Sequence, residues 1–229
     1  MSPTTEIIQL SLKISLIATL LDLPFAIACG WLLARKNFRG KMLFDTLVNL
    51  PLVLPPVVTG YFLLMVFGRN GFIGKYFYAY FGISISFTWQ AAAIAAAVVA
   101  FPLCVRAIRV AIENIDPRIE EAARTLRAGR WFIFRRITLP LSANGIIAGL
   151  LLAFARCLGE FGATIMFAGN IPGETQTMPL AVFSLANQAG QDTKILLLIA
   201  IALAFSFASL AISEILLRRW RRTDGQANG

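Results

Sequence analysis

The sequence predicts an all-α integral membrane protein with about five transmembrane helices, on three observations. Of the 229 residues, 58% are hydrophobic and only 14% are charged, whereas about a quarter of the residues of a soluble domain are charged. The apolar residues form long runs, and a transmembrane helix needs about 20 of them. The basic residues lie mostly between those runs. Together these features predict a single transmembrane domain over residues 1–229.

Five apolar segments are long enough to cross a membrane. We predict transmembrane helices at residues 10–34, 43–67, 88–109, 141–168 and 194–217. The first segment is longer than the core of a signal peptide and lacks a cleavage site, so it is predicted to be a retained helix. The short apolar piece Leu180–Leu185 cannot span a membrane, and we expect a surface helix or a re-entrant edge there.

The basic residues predict the orientation, because cytoplasmic loops carry an excess of lysine and arginine. With the N-terminus outside, 16 of the 21 lysines and arginines fall on the cytoplasmic side and four on the other, while Arg156 lies inside a helix. This count predicts a cytoplasmic C-terminus, and a sixth helix would spoil it. The net charge of +9 is therefore attributed to membrane orientation, and nucleic-acid binding is not expected.

Several kinds of site lack the residues that they need. There is no histidine, and the three cysteines show no metal-ligand spacing, so no metal centre or disulfide framework is expected. The sequence shows no nucleophile paired with a base, so an intramembrane enzyme is not expected. A phosphate-binding loop is missing as well, because the nearest stretch, Gly68–Lys75, has one residue too many between its glycines. We therefore expect no ATP site and no cofactor in this chain.

The charged segment 110–140, between the third and fourth predicted helices, is the most informative about function. Asp116 is expected to cap a short amphipathic helix that begins at Pro117, with Glu120 near the capping-box position. The helix should end near Arg127, and Gly129 then permits a turn before the chain returns to the apolar layer. Small residues on one face would let a partner approach closely. That face carries Ile119, Ala122, Ala123 and Leu126.

The stretch from Glu121 to Pro140 resembles the cytoplasmic signature of the permease subunits of binding-protein-dependent ABC importers. That signature is EAA, three residues, Gly, nine residues, Ile, one residue and Leu-Pro, and Arg127 stands where it has glycine. Gly129 is the nearest residue that could supply the missing flexibility. The positions that match at the right spacing are Glu121, Ala122, Ala123, Ile137, Leu139 and Pro140.

In that family the loop forms a coupling helix that is seated in a cleft of the ATPase subunit. The resemblance therefore implies the fold of a type I ABC importer permease, and ATPase docking by Glu121, Ala122 and Ala123, with Leu126 and Gly129 as neighbours. It also implies a homodimer with two ATPase subunits, which bind the ATP and magnesium, in the cytoplasmic (inner) membrane.

Two further segments, Leu50–Gly60 and Ala155–Pro179, resemble the permeases for molybdate and, less closely, those for sulfate. The resemblance implies a separate extracytoplasmic molybdate-binding protein that selects the anion. Tungstate cannot be separated from molybdate on these residues. A sulfate or thiosulfate permease is the alternative within the class, and an ion-driven secondary transporter is the alternative outside it.

Charged and proline residues inside the predicted helices are candidate pore or gate positions. Arg156 and Glu160 stand four residues apart and should share one helix face, and a charge in a membrane helix is costly unless it is paired or wetted. The pair is either a gate or a neutralised structural pair, and we group Thr164 with it. Pro55 and Pro56 break the second helix, either beside the pathway or as a simple packing kink.

Overall fold

The computed structural model describes residues 3–226, with side chains up to residue 218. Over this part of the chain all regular secondary structure is helical, and loops connect the helices. The helices are α1 Pro3–Arg35, α2 Lys41–Val53, α3 Pro56–Phe67, α4 Gly74–Phe81, α5 Trp89–Glu113, α6 Pro117–Thr125, α7 Arg130–Ile133, α8 Leu139–Leu158, α9 Gly162–Phe167, α10 Met178–Ala186 and α11 Asp192–Gln226. A π-helical turn, Phe134–Thr138, joins α7 to α8.

The predicted all-α membrane fold is confirmed. Four helical stretches of the described chain are long and apolar enough to cross a membrane, namely α1, α5, α7–α8 as one helix over Arg130–Leu158, and α11 over Asp192–Arg218. The second predicted helix, residues 43–67, is present as a bent pair, because α2 and α3 meet at an angle of 112° across Leu54–Pro55. A break at this point follows from Pro55 and Pro56, which cannot donate backbone hydrogen bonds.

The centre of the bundle is α5, which packs between α1 and α8. Glycines allow these helices to approach closely. A Cβ atom on Gly30 of α1 would lie 2.9 Å from Ile108, and one on Gly149 of α8 would lie 2.8 Å from Ala107. Small residues at helix contacts are typical of membrane proteins, where packing replaces the hydrophobic driving force. On the far side of α8, α11 is attached by its Ser209 hydroxyl, which donates to the Leu151 carbonyl at 2.6 Å.

Contacts between distant parts of the chain agree with the predicted alternation of loops between two sides. At the basic end, Arg35, the last residue of α1, contacts Glu120 of α6 at 3.1 Å. At the opposite end, the Met178 amide at the start of α10 donates to the Ser11 hydroxyl of α1 at 2.7 Å. The predicted cytoplasmic segments therefore meet at one end of the bundle and the predicted outer segments at the other.

The fourth predicted helix, residues 141–168, is not continuous. It begins earlier, at Arg130, and ends at Leu158, where Gly159 follows with φ −90° and ψ 6°. A second, short helix, α9, then starts at Gly162. The Glu160 carboxylate, two residues before this helix, accepts a hydrogen bond from the Ala163 amide at 2.8 Å and so caps its first turn. The apolar run resumes directly after Glu160, so hydropathy alone did not reveal the break.

The short apolar piece Leu180–Leu185 belongs to α10, which packs against α11 and α1. Its residues Met178, Leu180 and Ala181 are buried. A surface helix is therefore wrong, and α10 fits the other alternative, an element inserted into the outer end of the bundle.

The bent α3 packs against the short α9 through glycines on both sides. A Cβ atom on Gly60 would lie 2.5 Å from the Ala163 carbonyl oxygen and 2.8 Å from its Cα atom, and one on Gly162 would lie 2.8 Å from the Cβ atom of Pro56. The two breaks in the transmembrane helices are therefore in contact with each other.

We expect Gly60→Ala to destabilise the protein by about 1–3 kcal/mol, because backbone atoms stand where the new methyl group must fit. Thermal unfolding of the purified protein in detergent measures this effect. Gly129→Ala is the matched control, because nothing lies within 4 Å of a Cβ atom at Gly129. Equal melting temperatures for the two variants would contradict a tight contact between α3 and α9.

Candidate functional site

The predicted amphipathic helix in the cytoplasmic segment is α6. The Asp116 carboxylate accepts a hydrogen bond from the Arg118 amide at 2.9 Å, and Pro117 occupies the first turn, so the expected start of the helix is confirmed. Glu121 and Ala122 are exposed, and Ala123 is half-buried. Leu126 is 83% exposed at the end of the helix. The candidate docking residues therefore form an open face directed away from the bundle.

Arg127 itself makes the turn that ends α6. Its φ of +60° lies in the left-handed region that favours glycine. The Arg127 amide donates to the Arg124 carbonyl at 2.9 Å and the Ala128 amide to the Ala123 carbonyl at 3.1 Å, which is the pattern of a Schellman helix end. Gly129 is extended, with φ −68° and ψ 154°, so our expectation that it replaces the missing glycine is wrong.

Glu120 is the residue that sequence reasoning misjudged. It is buried and does not close a capping box. Its Oε1 atom accepts hydrogen bonds from Arg35 Nε at 3.1 Å and from the Thr138 hydroxyl at 2.8 Å, while Arg35 Nη2 donates to the Ile115 carbonyl at 3.0 Å. We call Glu120, Arg35 and Thr138 the Glu120 cluster. It attaches the candidate docking helix to the end of α1 and to the helical turn that precedes α8.

The predicted pairing of Arg156 with Glu160 is confirmed, with Arg156 Nη1 and Glu160 Oε2 2.8 Å apart. The Glu160 side chain is 2% exposed and the Arg156 side chain 30%. The two residues do not share one helix face, because α8 ends between them. Glu160 therefore both neutralises Arg156 and caps α9, and its neighbour Thr164 is buried within α9.

The structure brings part of the predicted pore or gate set together. Pro56 contacts Gly162 at the start of α9, the helix that Glu160 caps and that contains Thr164. Pro55 is the first residue of the break and is exposed, as is Pro56. The candidate docking residues lie at the opposite end of the bundle. Whether the outer group gates a pore stays a prediction.

The prolines within α2 and at the α2–α3 break leave three backbone carbonyls without their usual donors. Proline has no N–H, so Pro51, Pro55 and Pro56 cannot donate to the carbonyls four residues earlier, which are those of Leu47, Pro51 and Leu52. Lipid cannot satisfy such groups, so they require protein or water at membrane depth.

We expect Arg127→Gly to stabilise the end of α6 by about 0.5–1 kcal/mol, because a side chain in the left-handed region costs about 1 kcal/mol that glycine avoids. Hydrogen exchange of the amides at residues 123–128 should slow accordingly. Arg127→Ala removes the same charge but keeps the Cβ atom, so it should give no such protection. Equal protection in both variants would show that the arginine charge, and not the backbone conformation, controls this end.

We expect Arg156→Gln to destabilise the protein by about 2–3 kcal/mol, since it leaves the buried Glu160 carboxylate without a counter-charge. The double variant Arg156→Gln/Glu160→Gln should recover most of that loss, because the glutamine can still cap α9. A double-mutant cycle of unfolding temperatures in detergent measures the coupling. Additive effects of the two substitutions on stability would contradict this coupling. If a complex with the stable double variant shows raised basal ATPase activity, the Arg156–Glu160 pair acts as a gate.

Comparison with known proteins agrees with this arrangement. Residues 26–222 match the family model described as "Binding-protein-dependent transport system inner membrane component". The Molybdenum transport system permease protein ModB of Haemophilus influenzae is 54% identical over 221 residues, which are 96% of each chain. Its Escherichia coli K12 counterpart is 53% identical over 224 residues, 98% of each chain. The Sulfate transport system permease protein CysT of Salmonella typhimurium is 39% identical over 76% of this chain and 63% of its own.

Solved structures show the same fold at low sequence identity. A chain of the inward-facing MetNI methionine ABC transporter has a TM-score of 0.67 and 17% identity, and covers 94% of this chain and 99% of its own length. A chain of a bacterial alginate ABC transporter has a TM-score of 0.68 and 16% identity, covering 97% and 80%. With its all-helical fold and an exposed α6 carrying the expected motif, the chain belongs to the family of inner-membrane components of binding-protein-dependent transport systems.

Proposed function

We propose that this chain is the permease subunit of an ATP-driven importer that moves molybdate, or its close analogue tungstate, across the inner membrane. The substrate assignment rests on the identity of 53–54%, over nearly the whole chain, to permeases named for molybdenum transport. Permeases named for sulfate match at 38–39% and are the second candidate. A sulfate or thiosulfate permease is therefore the alternative within the class.

The energy for transport is supplied, in this proposal, by two separate ATPase subunits that bind ATP and magnesium. The open face of α6 with Glu121, Ala122 and Ala123 is the docking surface, and Leu126 and Gly129 border it. The Glu120 cluster supports this assignment, because a helix that transmits force must be attached to the transmembrane helices. This chain is then a non-catalytic subunit, and an ion-driven secondary transporter would have no use for such a helix.

The α2–α3 break supports a homodimer with the pathway between its two copies. Its prolines are exposed in the single chain, and three carbonyls there lack their usual donors. A second copy and a water-filled path would provide the protein and water that lipid cannot. Of the six apolar residues of α3 that are exposed, Tyr61, Phe62 and Met65 would then lie on or beside the pathway.

An extracytoplasmic molybdate-binding protein would deliver the anion to the outer end. Side-chain hydrogen bonds hold the loop between α9 and α10 in one conformation. Asn170 Nδ2 donates to the Ser184 hydroxyl at 2.7 Å, and Asn170 Oδ1 accepts from Gln176 Nε2 at 3.0 Å. An ordered loop of this kind is a suitable receiving surface, since little conformational entropy is lost when a partner binds.

In the proposed transport cycle, contacts at the two ends of α8 transmit the movement. ATP binding closes the ATPases and moves α6, and the Glu120 cluster passes that movement to the start of α8. The Arg156–Glu160 pair joins the other end of α8 to α9, which packs on the broken α3. The helices then alternate between inward-facing and outward-facing arrangements, which ATP and the binding protein each favour in turn.

Proteoliposomes that contain the complex of this chain with its ATPase should take up labelled molybdate only when ATP and the loaded binding protein are both present. Tungstate should compete about equally, and sulfate at least about tenfold less well. Uptake of sulfate at the same rate would replace molybdate by the sulfate alternative. Uptake driven by an ion gradient without any ATPase would overturn the proposal.

Glu121→Lys places a reversed charge on the docking face and should abolish both this uptake and copurification of the ATPase. Glu174→Lys is the matched control, because it makes the same charge change on the exposed outer loop and should leave copurification intact. Normal ATPase binding by the Glu121→Lys variant would contradict docking on α6.

A further inference from the structure

Two cavities of different chemistry meet at the basic end of α1. We propose that together they bind one anionic phospholipid, with the phosphate headgroup in a basic cavity behind α6 and an acyl chain in an apolar cavity beside it. This inference rests on the membrane orientation of the chain and not on which anion it transports.

The basic cavity has a volume of about 460 Å³ and lies between the end of α1, α6 and the turn before α8. Four cations line it, together with the carboxylate of Glu120, which is already bonded to Arg35 and Thr138. The four are Arg35, Lys36, Arg124 and Arg130. Within the described chain, Lys36 and Arg130 make no ion pair. The cavity therefore holds an excess of positive charge that an anion would neutralise.

The apolar cavity has a volume of about 490 Å³ and is lined mainly by aliphatic and aromatic side chains. Trp31, Arg130 and Phe134 line both cavities, so the walls pass from charged to apolar without interruption. On α1 the change follows the helix axis, from Ala28 in the apolar cavity to Lys36 in the basic one, a rise of about 12 Å at 1.5 Å per residue. This gradient matches a lipid, whose charged head lies toward the cytoplasm and whose chain lies in the membrane.

The aromatic surroundings place this site at the membrane boundary. Trp131 is 71% exposed and Phe132 56% exposed, and both follow Arg130 directly. Tryptophan and basic residues together are typical of the membrane–water interface, and cytoplasmic basic clusters attract anionic lipids. A small soluble anion would leave the apolar cavity unfilled. The docking residues Glu121, Ala122 and Ala123 do not line the cavity, whereas the buried Glu120 does, so the cavity lies behind α6. Gly129, which borders the docking surface, is the one docking neighbour that lines it.

Native mass spectrometry of the purified complex tests the site with two lipids of identical acyl chains, phosphatidylglycerol and phosphatidylcholine. We expect the wild-type complex to retain phosphatidylglycerol, and Lys36→Gln/Arg130→Gln to lower that retention about tenfold, since each basic residue near an anionic headgroup adds to its affinity. Arg39→Gln/Lys41→Gln is the matched control, because it removes two charges from the same side outside both cavities. It should retain phosphatidylglycerol like the wild type.

Equal retention of phosphatidylcholine, or unchanged retention by Lys36→Gln/Arg130→Gln, would overturn the proposal. So would inorganic phosphate that protects the complex against heat as well as phosphatidylglycerol does, because the site would then bind a free anion. If the double variant does not fold, phosphatidylglycerol with a photoreactive acyl chain is applied to the wild-type complex. Labelling of peptides that contain Trp31 or Trp131 supports the site, and labelling confined to other helices overturns it.

Discussion

Hydrocarbon offers no hydrogen bonds to the backbone, and this constraint determines where the chain can leave the helical conformation. Two breaks occur in predicted transmembrane helices, at Leu54–Pro55 and at Gly159–Phe161, and the helices that follow them pack against each other. At the first break, prolines reduce the number of amides that need an acceptor. At the second, Glu160 accepts the Ala163 amide that would otherwise be free. The second break thus satisfies its own free amide, whereas the carbonyls that the prolines leave without donors at the first break still require protein or water.

One buried carboxylate stabilises each end of the bundle. Glu120 bonds to Arg35 and Thr138 at the cytoplasmic end, and Glu160 bonds to Arg156 and α9 at the outer end. The 20 residues of α8 run between these two groups, about 30 Å along the helix axis. Thr138 precedes this helix and Arg156 lies in its last turn. A continuous set of contacts therefore leads from α6, the candidate docking helix, to the broken pair at the other end.

Hydropathy and charge were sufficient to predict the number and order of the membrane helices, because burial in lipid leaves long apolar runs. The capping residues Asp116 and Pro117 located α6, since capping is a local interaction. Glu120 was misjudged because its partner Arg35 is 85 residues away in the chain, and a local capping box was the simpler interpretation. The end of α8 was missed because the apolar run resumes directly after Glu160, from Phe161 to Phe167. The conformation of Arg127 was missed because glycine is the usual residue there.

The exposed α2–α3 break has a consequence for how the subunit is made. In a single chain, Pro55 and Pro56 are exposed, and the carbonyls four residues before the prolines lack their usual helical donors. If the chain works as the proposed homodimer, a newly inserted copy without its partner would leave these carbonyls unsatisfied in lipid, and this would destabilise it in the membrane. A copy without a partner would then be more readily degraded by membrane proteases. Pairing would then serve as a checkpoint of biogenesis, so that only matched copies persist.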